Sequence, residues 1–187
     1  MDRNYGKGSF LIANPVLPDP NFSRTVVLLC NHNEEGSFGL VVNRLTDVKT
    51  SEVFASSEFL GFANNRVYIG GPVSPSQVFY LCRSQEPIEN LETVCLGVQM
   101  GMSWDSLARV VDVLENPDRD IRFYLGYSGW AAGQLAGEMD HCSWLTCSAQ
   151  EDFVFGDPEE SIWANVVRSL GKKYEYLLNA PLNPNLN

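Results

Sequence analysis

The alternation of apolar and polar positions gives the first outline of the chain. Ser9 to Ala13 reads as a short strand closed by Pro15, Pro18 and Pro20, and Thr25 to His32 carries the strongest strand signal. A period of two puts Val26, Leu28, Cys30 and His32 on one face and Thr25, Val27, Leu29 and Asn31 on the other. Both faces are apolar, as in a central strand covered on both sides. The polar run from Asn33 to Ser37 then predicts a turn into Gly39 to Arg44, and the two segments form an antiparallel hairpin. Further strands are expected at Arg66 to Gly70, Gln77 to Cys82, Thr93 to Val98, Ile121 to Tyr127, Ser143 to Cys147 and Asp152 to Phe155.

Helical spacing appears later. Trp104, Leu107, Ala108, Val111 and Leu114 share one face of a helix from Ser103 to about Glu115, ended by Asn116-Pro117. Asp157-Pro158-Glu159-Glu160 is a capping box with proline at the first helical position. It opens a helix bearing Ile162, Trp163, Val166, Val167 and Leu170, with Gly171 as the stop. Shorter helices are expected near Thr50 to Ser56 and Trp130 to Met139. Strands dominate and helices interleave irregularly, which predicts an α+β fold with a mixed sheet rather than a βαβ repeat. The length of 187 residues suits one domain, with a small subdomain in the middle of the chain and an extended tail over 179–187.

Composition narrows the function classes. Apolar residues make up 44% and charged residues 19%, which excludes a disordered chain. The formal charge of −10 repels phosphodiester backbones, and no basic stripe offsets it, so direct nucleic-acid binding is not expected. No apolar run is long enough to cross a bilayer, and the chain reads as cytoplasmic. Five scattered cysteines are expected to stay reduced.

Three groups of residues are candidates for chemistry. Cys30 and His32, two apart on one strand face, suggest an imidazolium that lowers a thiol pKa, against the alternative of a core thiol beside a turn histidine. Gly126 to Gln134 reads as a strand-to-helix loop whose N–H groups, with Tyr127, Ser128, Gly129, Trp130 and Gln134, would hold an anion or carboxylate. Its alternative is close packing by glycine with Trp130 in the core. Arg24, Asn43 and Arg44 gather at the hairpin end opposite the turn, about 20 Å from Cys30, either paired with Asp19 or Asp47 or holding an anion. Ser128 lacks the second glycine of a nucleophile elbow, with Trp130 at that position, and no serine triad is expected. His141, Cys142, Cys147, Cys30 and His32 match no zinc spacing, and neither a metal nor a nucleotide cofactor is indicated.

Taken in order, the motifs resemble the AlgH-like family, which includes the YqgE-type proteins. They are Phe10-Leu11-Ile12-Ala13-x-Pro15-x-Leu17-x-Asp19, Phe22-x-Arg24-Thr25-Val26-Val27-Leu28-Leu29-Cys30-x-His32 and Gly36-x-x-Gly39-Leu40-Val41-x-Asn43-Arg44. Gly70-Gly71-Pro72-Val73, Gly126-Tyr127-Ser128-Gly129-Trp130, Gly133-Gln134-Leu135 and Trp144-Leu145 continue the series. The resemblance implies a compact α+β fold with a large, mixed, partly barrel-like sheet flanked by helices. It also implies an association with transcriptional regulation of exopolysaccharide synthesis, and it carries no catalytic residues. The sequence departs from the family pattern at Leu45, where proline is common, at Cys82-Arg83, where histidine follows leucine, and at Ala136-Gly137-Glu138. The residues as a whole favour a non-enzymatic binding or regulatory module for a small molecule or protein, with a thiol-dependent sensor or enzyme built on Cys30 and His32 as the alternative.

Overall fold

The computed structural model of the protein describes residues 5–15, 17, 19–53, 65–156 and 159–180. Its strands are β1 (Ser9–Ala13), β2 (Val26–Asn33), β3 (Gly36–Val41), β4 (Leu45–Lys49) and β5 (Arg66–Ile69), followed by β6 (Val73–Arg83), β7 (Glu92–Cys95), β8 (Val98–Gly101), β9 (Ile121–Ala131) and β10 (Trp144–Ser148). The helices are α1 (Thr50–Val53), α2 (Trp104–Val113), α3 (Pro117–Asp120), α4 (Gln134–Asp140), α5 (Glu151–Phe155) and α6 (Glu159–Ser169), with a 3₁₀ segment over Lys172–Asn179.

All ten strands among the described residues join one mixed sheet in the order β10-β1-β2-β3-β9-β6-β8-β7, and β5 ties β4 to β9. Only the β5–β9 pair is parallel among the described pairs. The sheet curls into a half-barrel, bringing its far edge back toward its start: a Cβ on Gly8 would lie 2.8 Å from the Val94 carbonyl oxygen on β7. The α+β expectation and the mixed sheet hold.

Three apolar clusters follow from the curl. The concave face collects Phe10, Leu28, Leu40, Phe79 and Tyr124, closed by Phe155 of α5 and Trp163 and Val166 of α6. On the convex side, Leu107 and Val110 of α2 cover Tyr80, Ile121 and Phe123. Leu135 of α4 packs with Leu11, Leu29, Trp130 and Trp144 in the third cluster. β2 serves two of these clusters at once, as its doubly apolar pattern requires.

Several local expectations are corrected. Thr93 to Val98 is not one strand but the hairpin β7–β8, turned at Gly97 with φ +76°. Asp152 to Phe155 is helical: four residues are too few to distinguish the two periods, and Glu151 and Asp152 suit a first helical turn. Trp104, expected on the buried face of α2, is 43% exposed, and Ser106, Leu107 and Val110 are the buried positions. β4, whose Asp47, Val48 and Lys49 are exposed, gave no strand signal. The box at 157–158, the end of the helix expected near Thr50, and 181–187 lie outside the described residues.

Candidate functional site

The β2–β3 hairpin decides the fate of the thiol candidate. Leu29 pairs with Gly39 and Asn31 with Phe38, so Cys30 is an extra residue bulged out of the ladder. Beyond a bulge the alternation of faces is reset. Cys30 joins the concave core with Val26 and Leu28. His32 instead meets Tyr5 at 5.1 Å between ring centroids, and Tyr5 packs on the cluster of Leu29 and Trp130. The pair therefore faces opposite sides of the sheet. Cys30 is 0% exposed, its thiol donates to the Leu28 carbonyl at 3.4 Å, and burial, followed by the nearby Glu92 charge, pushes its pKa up rather than down. His32 Nδ1 lies 2.7 Å from Ser37 Oγ at the surface. The expected thiolate activation is overturned by this bulge.

Gly126 to Ala131 is the second half of β9, not a loop, and α4 begins only at Gln134. The glycines instead let the connection between β5 and β6 meet β9 backbone to backbone. A Cβ on Gly71 would stand 2.2 Å from the Tyr127 carbonyl carbon, and one on Gly126, whose φ is +66°, 2.6 Å from the Gly71 oxygen. Ser128 is buried and donates to the Gly70 carbonyl at 3.2 Å. The motifs Gly70-Gly71-Pro72-Val73 and Gly126-Tyr127-Ser128-Gly129 are thus two halves of one packing joint.

Alternation along β9 then separates its candidates. Trp130 points to the α4 side, where its indole N–H donates to Glu138 Oε2 at 2.9 Å, and that of Trp144 donates to the same oxygen at 2.8 Å. Gln134 Nε2 holds Glu138 Oε1 at 3.0 Å. A cavity of about 610 Å³ bordered by Phe22, Gln134, Glu138, His141 and Trp144 adjoins this cluster, whose carboxylate is already engaged by three donors.

Tyr127 and Gly129 face the other way, into an open groove of about 680 Å³ at the concave mouth of the sheet, which Trp130 also borders although its indole N–H is held on the α4 side by Glu138. Its floor is aromatic: Phe38 lies 5.2 Å from both Phe79 and Tyr127, and Phe79 lies 5.9 Å from Tyr127, centroid to centroid. Asn31, Asn33 and Gln77 line its polar side, Met100 and Met102 its flexible side, and Met102 is 60% exposed. The charged lining is acidic, from Glu35 and Glu92, and Lys7 ion-pairs with Glu92. Phe38, Phe79, Gln77 and Met100 carried no local signal in the sequence, since three strands far apart in the chain, β3, β6 and β8, bring them together.

Arg24, Asn43 and Arg44 do gather opposite the hairpin turn, in structural roles. Asn43 accepts from the Val26 N–H at 2.9 Å and donates to the Arg24 carbonyl at 2.9 Å, joining the β2 entrance to the segment after β3. Arg24, in the left-handed region at φ +50°, donates to the Ala180 carbonyl at 2.9 Å and lies 5.2 Å over the Trp163 ring. Arg44 donates to the Pro20 carbonyl at 3.0 Å; desolvation lowers its pKa and Asp19 opposes that shift. Asp47 pairs instead with Arg66. Among the described residues no three His, Cys, Asp or Glu side chains are grouped to hold a metal ion, and no helix is long and apolar enough to cross a membrane.

The sequence profile of the AlgH-like family matches residues 10–175. The chain belongs to the AlgH-like family. A UPF0301 protein of Chlorobium limicola is 38% identical over 181 residues, spanning 96% of this chain and 95% of its own. One of Cytophaga hutchinsonii is 36% identical over 182 residues, spanning 97% and 98%. The solution structure of the AlgH protein from Pseudomonas aeruginosa superposes with a TM-score of 0.72 at 33% identity, covering 97% of this chain and 96% of the other. A crystal structure of a Corynebacterium diphtheriae protein shares the fold with a TM-score of 0.80 at 24% identity, over 95% and 94% of the two chains.

Proposed function

We propose that this AlgH-like protein is a non-enzymatic binding or regulatory module of the cytoplasm, and that its ligand sits in the groove floored by Phe38, Phe79 and Tyr127. The observation that carries the reading is an open groove with an aromatic floor, a polar amide side and an acidic rim. Such a lining selects an apolar or aromatic body bearing a neutral or cationic head, in a small molecule or a protein side chain. A carboxylate or phosphate ligand there would meet Glu35 and Glu92. The thiol alternative is not favoured, because an inaccessible Cys30 facing away from His32 has neither a thiolate nor a base.

Three indole probes of different charge test the reading. Titrating the isotopically labelled protein with tryptamine, indole and indole-3-acetate should shift the signals of Phe38, Phe79 and Tyr127 in that order of affinity. For a body of this size the dissociation constant of tryptamine should be roughly millimolar. Equal or stronger binding of indole-3-acetate, or no effect on these residues, contradicts it.

A further inference from the structure

At the end of β9 remote from the groove, β5 and β9 run parallel with Val67 beside Phe123, so Arg66 and Arg122 stand next to one another one position earlier. Like charges on neighbouring strands repel unless something compensates them. Arg66 is compensated: it is exposed and meets Asp47 at 3.1 Å. Arg122 has no carboxylate partner among the described residues. Its Nη2 donates to the Phe155 carbonyl at 3.1 Å, its guanidinium lies 5.8 Å over the Tyr68 ring, and its Nε is buried without an acceptor. Asn65, immediately before β5, likewise has Nδ2 buried without an acceptor.

Arg66, Arg122 and Asn65 line one cavity of about 290 Å³, with Tyr68 on its wall and Asp118 of α3 at its rim. Arg83 also buries its Nε, but it has Asp152 as counter-ion at 3.3 Å and does not line the cavity. We propose that this cavity is an anion site that takes a carboxylate or phosphate group between Arg122 and the Asn65 amide. Buried donors are nearly always paired, and here two residues that line one cavity each keep an unpaired donor just beneath its wall, which a small side-chain rotation would turn to an acceptor in the cavity. A water could satisfy the amide alone. The uncompensated Arg122 charge, beside a second guanidinium, selects an anion over a neutral acceptor, because guanidinium donors match planar carboxylate and phosphate oxygens. The Asp118 carboxylate opposes a highly charged occupant. Along β9, Arg122 is five residues, roughly 16 Å, from Tyr127, so the anion site is separate from the groove and does not rest on its function.

The test is a titration of the labelled full chain with sodium phosphate and, separately, sodium acetate at constant ionic strength, following the Asn65 side-chain amide and the Arg122 Nε–H. Both signals should shift saturably with at least one anion, and the comparison of the two salts identifies the preferred group. Arg122→Gln should weaken binding at least about tenfold, in keeping with loss of a charge-assisted contact. Asn65→Ala, which leaves the Arg122 bond to Phe155 intact, should weaken it severalfold even if Arg122→Gln fails to fold. Absence of a saturable shift with either anion, or binding unchanged in Asn65→Ala, overturns the proposal.

Discussion

Cys30 shows how one residue redirects a functional reading. It is inserted into β2 without a ladder partner, and its thiol is enclosed by the concave core. Among the five thiols Cys142 is the exposed one, while Cys95 and Cys147 are half-buried, with pKa values raised to about 11 by burial. Iodoacetamide at pH 8 should therefore label Cys142 first and Cys30 last, as read by peptide mass spectrometry, and His32→Ala should leave the Cys30 rate unchanged. A Cys30 rate that falls with His32→Ala would restore the thiol site. Glu138 matters at this scale for the opposite reason, because one carboxylate satisfies the indole N–H groups of both Trp130 and Trp144. Removing it in Glu138→Ala orphans two largely buried donors, and urea denaturation should report a loss of about 2–3 kcal/mol, part of which Glu138→Gln recovers.

Elements explain the glycine motifs. β6 and β9 are the longest strands, and between Val73 and Val78 the β6 side of their ladder shifts register opposite Gly126. Four residues of β6 are accommodated there by the left-handed Gly126, with the Gly71 carbonyl close against it. Gly126→Ala combines a strained backbone with a clash against main chain, and it should lower the free energy of unfolding, read by urea denaturation, by more than about 2 kcal/mol without altering the spectrum of secondary structure. The strand periods, the two long helices and the β2–β3 hairpin were legible in the sequence because each follows from local alternation or spacing. The hairpin register was not. Val27 pairs with Val41 because a two-residue turn at Glu34-Glu35 and the bulge at Cys30 both enter the count. For the same reason Tyr127 and Gly129 were legible as site residues and Phe38 and Phe79 were not: period two places Tyr127 on a face, and only the strand order shows which residues share it.

The whole molecule is a curled sheet that encloses weakly acidic thiols and opens at one mouth onto an acidic, aromatic groove. Burial raises the pKa of Cys82 to about 12 and those of Cys95 and Cys147 to about 11, from an ordinary 9.0. The folded state thus keeps protons that the unfolded chain releases. This contribution to stability is complete below pH 9, declines above it and is lost as pH passes about 11 to 12. The urea midpoint should fall between pH 9 and 11, and fall less steeply in Cys82→Ala than in the wild type. The central claim is that Tyr127 serves a ligand while Trp130, three residues on, serves the fold. Tryptamine affinity and urea stability, measured together for Tyr127→Ala and Trp130→Phe, test it most directly. The account predicts that Tyr127→Ala weakens tryptamine binding at least about tenfold, with a folded and cooperative transition, while Trp130→Phe lowers stability and leaves binding within about twofold. Unchanged tryptamine binding in a folded Tyr127→Ala protein would contradict it.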